Sequence, residues 1–264
     1  MKGRKANARR EALNMKMNKA RFIATAILCV ALLGLGAGVV GRSSAGAQAA
    51  ASQNSGSIEG TIHFEGTPPQ RGRLDMGADP VCAAAHTEPV LAEDGAVNSN
   101  GTLPNAFVYI KDAPGTFQPP SQPVVLDQRG CIYEPHVLGV MAGQVLLITS
   151  GDLTTHNIHP MCKVNRDWNQ SQPPGAPSLV HKFARPEVMI PVRCNQHPWM
   201  SAYLGVTSNP FYAVSGSDGT FTIKGVPPGE YSLTTWTVTF GTQEQKVTVR
   251  AGETMHANFT FKTP

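Results

Sequence analysis

An all-β chain, folded as two β-sandwich units in tandem or as one fused body, is the class this sequence predicts, and three observations predict it. From about Ser57 onward, apolar and polar residues alternate with period two in short runs. Those runs are bounded by Gly, Pro, Asn and Asp, the residues that make turns. Beyond the first fifth of the chain no stretch carries the 3.6-residue period of a long helix. The 264 residues suffice for one large or two modest domains with real cores.

The first fifth is a different kind of sequence. Residues 1–21 carry Lys2, Arg4, Lys5, Arg9, Arg10, Lys16, Lys19 and Arg21 against the single acid Glu11, and the apolar run "FIATAILCVALLGLGAGVV" follows at once. That order is the order of a secretory signal. The small residues of "GRSSAGAQAAAS" then offer cleavage near Ala47 or Ala49, so residues 1–49 read as a signal peptide and the protein as periplasmic or secreted. The competing reading is an uncleaved anchor, because the run approaches membrane-spanning length. Residues 1–47 hold nine Lys/Arg and one Glu, a net +8, so the formal +4 of the whole chain becomes −4 without them. No basic patch is left for a nucleic-acid partner.

The strands follow in order. "SIEGTIHFEG" places Ile58, Ile62 and Phe64 on one face, and "NAFVYIKD", "PVVLD", "QVLLITS", "EVMIPVR", "AYLGV" and "FYAVS" continue the series. One short helix is predicted in "DPVCAAAH", where Asp79 can cap the first turn and Pro80 suits its first position. Residues 169–178, "NQSQPPGAPS", read as a loop. Near Asn209 the style changes to hairpins, "SGSDGTFTIKGVPPGEYSLTTWTV" and "QEQKVTVRAGETMHANFTFK". The expected division is therefore a domain over 50–208 and a module over 209–264.

Chemistry concentrates in "VRCNQHPWMSAYLGV", where Cys194, His197 and Met200 stand three residues apart. Thiolate, imidazole and thioether are soft to borderline donors, and a His2Cys plane with a weak axial Met is a copper arrangement. The second histidine must come from elsewhere. His156 follows the apolar run that ends in Thr149 and lies 38 residues before Cys194, with His159 as the alternative ligand. The exported part also has four cysteines, Cys82, Cys131, Cys162 and Cys194, and an even count first reads as two disulfides. A Cys162–Cys194 bridge would remove the thiolate. Cys82 and Cys131 pair more naturally, each beside a turn element, and their bridge would pin the long 66–104 excursion. Cys162 is then left over as a free or intermolecular thiol.

A strand, a His-Asn pair and a strand ending in Cys-x2-His-x2-Met resemble the cupredoxins, with the short ligand loop most similar to amicyanin. The resemblance implies a cupredoxin-like Greek-key β-sandwich with one type 1 copper ion on His156, Cys194, His197 and Met200. It also implies that Asn157 ties the two ligand loops together. From Gly56 onward the chain resembles exported bacterial proteins with a plastocyanin-like part and a prealbumin-like or carboxypeptidase-regulatory-like β-sandwich. The carriers are "GTIHFEGTPP", "DPVCAAAH", "LDQRGCIYEPHV", "THNIH", "CNQHPWMSAYLGV" and "DGTFTIKGVPPGEYSL". One departure is that a Trp-His-Glu commonly closes the last motif, where this chain has Trp236-Thr237-Val238. The resemblance implies single-electron transfer between periplasmic partners, with a redox protein docking around His197, Pro198 and Trp199.

Other classes have less behind them. A structural zinc site rarely uses a thioether and wants more Cys or His. Neither a Gly-x-Ser-x-Gly elbow nor a His-Glu-x2-His motif is present, so no enzyme is expected. Copper storage or delivery would use the same ligands. A non-redox binding module, for carbohydrate or protein, is the alternative. It would need a row of exposed aromatics, and the C-terminal unit offers Phe221, Tyr231 and Trp236.

Overall fold

A computed structural model describes residues 54–263, and the expected signal peptide and its cleavage sites lie outside the described residues. Seventeen strands and one five-residue helix make up this part. In chain order they begin β1 (Gly56–Glu65), α1 (Pro80–Ala84), β2 (Phe107–Ile110), β3 (Val124–Arg129), β4 (Ile132–Glu134) and β5 (Val137–Met141). Next come β6 (Leu146–Ser150), β7 (His156–Pro160), β8 (Gln170–Gln172), β9 (Leu179–His181), β10 (Glu187–Arg193) and β11 (Ser201–Thr207). The last are β12 (Tyr212–Val214), β13 (Thr220–Val226), β14 (Gly229–Thr237), β15 (Gly241–Val249), β16 (Thr254–His256) and β17 (Phe259–Lys262). The architecture is an all-β, sandwich one.

Two sandwiches arise from four sheets. In one, β4-β3-β6-β9 faces β5-β11-β10-β7-β8. Leu126, Leu146 and Ile148 from the first sheet pack with Ile158, Ile190, Val192 and Leu204 from the second. In the other, β13-β1-β16 with β17 faces β12-β2-β14-β15. There Ile58, Ile62 and Phe64 meet Val108, Ile110, Phe221, Leu233 and Phe261. The alternation in β1 is what buries those three residues on one face.

Sheet membership crosses the 208/209 division expected from the sequence. β1 is antiparallel to β13 and parallel to β16 and β17, while β2 pairs with β12 and β14. The first two strands thus complete the C-terminal sandwich, and β3–β11 form an insertion between β2 and β12. Period-two patterning reports which face of a strand is buried, not which distant strand lies beside it.

A seam joins the two bodies. Gly139 and Gly205 are register partners across β5 and β11. A Cβ on Gly205 would stand 2.4 Å from the Phe107 ring, and one on Gly139 2.2 Å from that of Tyr212. The two bare backbones are a groove that these rings fill, with Val137, Tyr203 and Trp236 around them.

One expectation is corrected here: Gln170–Gln172, read as loop, is a short strand on β7. Three polar residues carry no alternation signal. What holds them is Gln172, buried, whose Oε1 accepts from Gln128 Nε2 at 2.7 Å, before Pro173, Pro174 and Gly175 end the pairing.

Candidate metal centre

β7 opens with His156 and β10 runs out into Cys194, so two neighbouring strands deliver both to the same end of the inserted sandwich. The 194–200 loop then closes on itself, with Met200 N–H donating to the His197 carbonyl at 2.9 Å and Cys194 N–H to the Met200 carbonyl at 3.4 Å. That turn carries His197 back over Cys194 and starts β11. Cys194 Sγ, His156 and His197 ring nitrogens lie within 4.8 Å of one another. The two Nδ1 atoms are 2.9 Å apart and Cys194 Sγ is 3.7 Å from His197 Nδ1. All three side chains are buried, and Met200 is fully buried in the same core.

Asn157 spans both loops. Its Oδ1 accepts from Asn195 N–H at 2.6 Å and from the Cys194 thiol at 3.4 Å, and its Nδ2 donates to Asn169 Oδ1. Tyr133 Oη donates to the Asn157 carbonyl at 2.5 Å, and burial raises that phenol above its ordinary range. The sulfur therefore sits in a fixed hydrogen-bonded frame, of the kind that orients metal ligands.

Each histidine also meets a carboxylate on its far side. His156 Nε2 is 2.8 Å from Asp152 Oδ2, and His197 Nε2 is 3.1 Å from Asp79 Oδ2. Asp152 is seated by the β3–β4 hairpin, whose loop is only Gly130 and Cys131. Both lie at positive φ (60° and 57°), as a two-residue type I′ turn requires. Their N–H groups donate to Asp152 at 2.7 and 2.8 Å. Asp79 caps α1 through Val81 N–H and takes a 2.6 Å hydrogen bond from Thr154 Oγ1. Those bonds, Thr154's above all, pull the Asp79 carboxyl down to about 2. Burial holds His156 below the usual imidazole value, against the opposing pull of Asp152.

Cys82 and Cys131 are joined by a disulfide that ties α1 to this hairpin, while Cys162 and Cys194 are free thiols. Cys82 Sγ lies 3.8 Å from His197 Nε2, so the bridge is part of the wall of the site. Trp199 Nε1 donates to the Cys131 carbonyl from the other side.

Three expectations change. His159, the alternative ligand, stands apart, half-buried between Asn195 and Asp167. In a strand, residues three apart point to opposite faces. His197 does not offer its ring edge to a docking partner: it is 4 % exposed, beneath Asp79 and α1. Of the expected rim, Pro198 is exposed and Trp199 only half so. Phe221 and Tyr231 are buried, and Trp236 is half-buried against the seam, so they form no exposed aromatic row. Sequence reasoning saw Asp79 as a cap and missed Asp152 altogether. The available signal was an acid four residues before His156.

Residues 201–262 match the family model of the carboxypeptidase regulatory-like domain. No curated protein matches the chain. Among solved structures, the chain is similar to a copper-containing nitrite reductase from Thermus scotoductus SA-01, at 16% identity and a TM-score of 0.30, over 37% of this chain. That match spans only 25% of the reductase. It is also similar to the Cu(I) form of an amicyanin mutant, at 20% identity over 31% of this chain and 80% of that one, with a TM-score of 0.28. A purple cupredoxin from Nitrosopumilus maritimus matches at 18% identity, 32% and 98% coverage and a TM-score of 0.27.

Proposed function

We propose that this chain is an exported copper protein that holds one type 1 copper ion on His156, Cys194, His197 and Met200 and passes single electrons between redox partners. One observation carries the reading: a thiol and two imidazoles from neighbouring strands converge within 4.8 Å where solvent does not reach. Polar groups are costly to bury, and a core built for stability alone would place apolar side chains there. The donor set fits copper in both oxidation states, and Met200, buried at the end of the same loop, offers a thioether suited to the weak axial position. Bound copper would supply a one-electron couple that needs little rearrangement.

The chain's own residues do the rest. Asn157 holds the sulfur and both ligand loops, and Tyr133 holds Asn157. The disulfide, α1 and Trp199 keep water out. With the His197 edge covered, a redox partner would meet the outer layer, where Val81 and Leu153 are exposed.

The test is Cu(II) titration of the full chain followed by visible absorption, beside Cys194→Ser. An intense thiolate-to-copper band in the first, absent from the second, is expected, with bleaching by ascorbate and recovery on re-oxidation. A protein that takes up copper but does not recover its band is a storage or delivery protein. No band at all, with Cys194 found in a disulfide, ends the copper reading.

A further inference from the structure

We infer that Asp79 is a positioning residue for His197: its carboxylate keeps the ring proton on Nε2 and so turns the Nδ1 lone pair toward Cys194 and His156. The biological meaning of this inference rests on the copper reading above, but its geometry does not. A carboxylate offers acceptors only, and it meets four donor groups here. Asp79 Oδ1 faces Val81 N–H (2.8 Å) and Cys82 N–H (3.4 Å), while Oδ2 faces Thr154 Oγ1 (2.6 Å) and His197 Nε2 (3.1 Å). With Nε2 as the donor, Nδ1 is left as the acceptor. Which nitrogen of a metal-binding imidazole is free is set in this way by the hydrogen bond on the other.

His156 is arranged alike, through Asp152. The two Nδ1 atoms, 2.9 Å apart, then present lone pairs to one another. That arrangement calls for a cation between them. A direct hydrogen bond between the rings would need a proton on one Nδ1, either moved there from Nε2 at the cost of the carboxylate contact or added to make an imidazolium that donates from both nitrogens.

The two carboxylates differ in origin. Asp152 is four residues from its histidine, whereas Asp79 is 118 residues from His197 in sequence. It reaches the site on the excursion from β1 to β2, which the Cys82–Cys131 bridge, the Thr154 hydrogen bond and the burial of Met76 anchor to the inserted sandwich. The orientation of the loop ligand is thus delegated to a segment outside the ligand strands. That segment also covers the ring.

Nitrogen-15 NMR of the histidine-labelled apo full chain reads the tautomer directly, and Cu(II) titration of the same samples reads its consequence. The wild type is expected to carry the His197 proton on Nε2. In Asp79→Asn the amide oxygen can still cap α1, which leaves the amide NH2 facing His197. The proton should move to Nδ1, with at least a tenfold loss of Cu(II) affinity. Thr154→Val leaves the carboxylate in place and should keep the Nε2 tautomer with affinity within threefold of wild type. A wild-type proton on Nδ1 overturns the inference, whether or not the Asn variant folds, as does an unchanged tautomer in a folded Asp79→Asn. If the tautomer follows Asp79 but the wild type binds no copper, the copper reading falls and this one stands. If copper binds normally and the tautomer ignores Asp79, only this inference falls.

Discussion

The two sandwiches bury different things. Strands β1, β2 and β12–β17 enclose a core of Ile, Val, Leu and Phe, and the polar side chains buried in β13–β17 are the threonines Thr234, Thr235 and Thr237. The inserted sandwich, β3–β11, buries Gln128, His156, Asn157, Gln172 and, in its ligand loop, His197. Amides and imidazoles need partners to be buried without loss, and each of these has at least one, Gln128 through its Nε2 while its Oε1 has none. The contrast teaches where to look for chemistry: a core that buries amides and imidazoles at one end, beside another in the same chain whose strands bury only hydroxyls, is organised around a site.

The sharpest way to break the comparison is to injure each body separately. Phe261→Ala in the C-terminal sandwich should cost about 3–5 kcal/mol, seen as a lower urea midpoint. The copper band per folded molecule should be unchanged. Cys194→Ser should do the reverse, removing the band at little cost in stability.

Removing the disulfide, as Cys82→Ala with Cys131→Ala, tests whether the wall of the site also supports the inserted sandwich. It should lower stability by about 2–5 kcal/mol in denaturant unfolding. It should also uncover His197, measurable as faster quenching of the copper band by small chelators.

The seam comes next. Gly205→Ala places a methyl group 2.4 Å from Phe107, and overpacking of that sort costs about 1–3 kcal/mol. If both sandwiches unfold together in the wild type, two separate transitions in the variant would show that the seam couples them.

The smallest effect is one of pH. His181 stacks on Trp168 at 4.4 Å between ring centroids, and burial lowers its imidazole below the usual 6.5. The unfolded chain therefore binds the proton more readily, so stability falls as pH drops below 6.5 toward the folded value. His181→Phe keeps the stacking and should flatten this slope in unfolding measured from pH 7 to 5.

Much of this was open to sequence reasoning because it is local. Alternation identified the buried face of β1 at Ile58, Ile62 and Phe64, and Asp79-Pro80 marked the start of α1. Three-residue spacing singled out Cys194, His197 and Met200, and the structure brings the first two to His156. What stayed hidden is non-local. Nothing near Gln170 announces a strand, because its partner, β7, and its buried amide contact, Gln128, lie elsewhere in the chain. Asp79 shows its capping role in the residues beside it, while its contact with His197 spans a sequence separation of 118 residues and is supported by a distant bridge.

The place of β1 has a consequence for how the molecule comes into being. Gly56 pairs with Val226 and Ile62 with Phe259, so the first described strand to be synthesised waits for nearly the last. Closing a loop of that length carries an entropy cost before any contact repays it, and pairings so distant fold slowly. The inserted sandwich closes within β3–β11 and can form while the rest is still emerging. The inserted body is then expected to mature early, and a truncation before Phe259 would leave it folded beside a β1 whose Ile62–Glu65 half has lost its β17 partner and is an aggregation-prone edge.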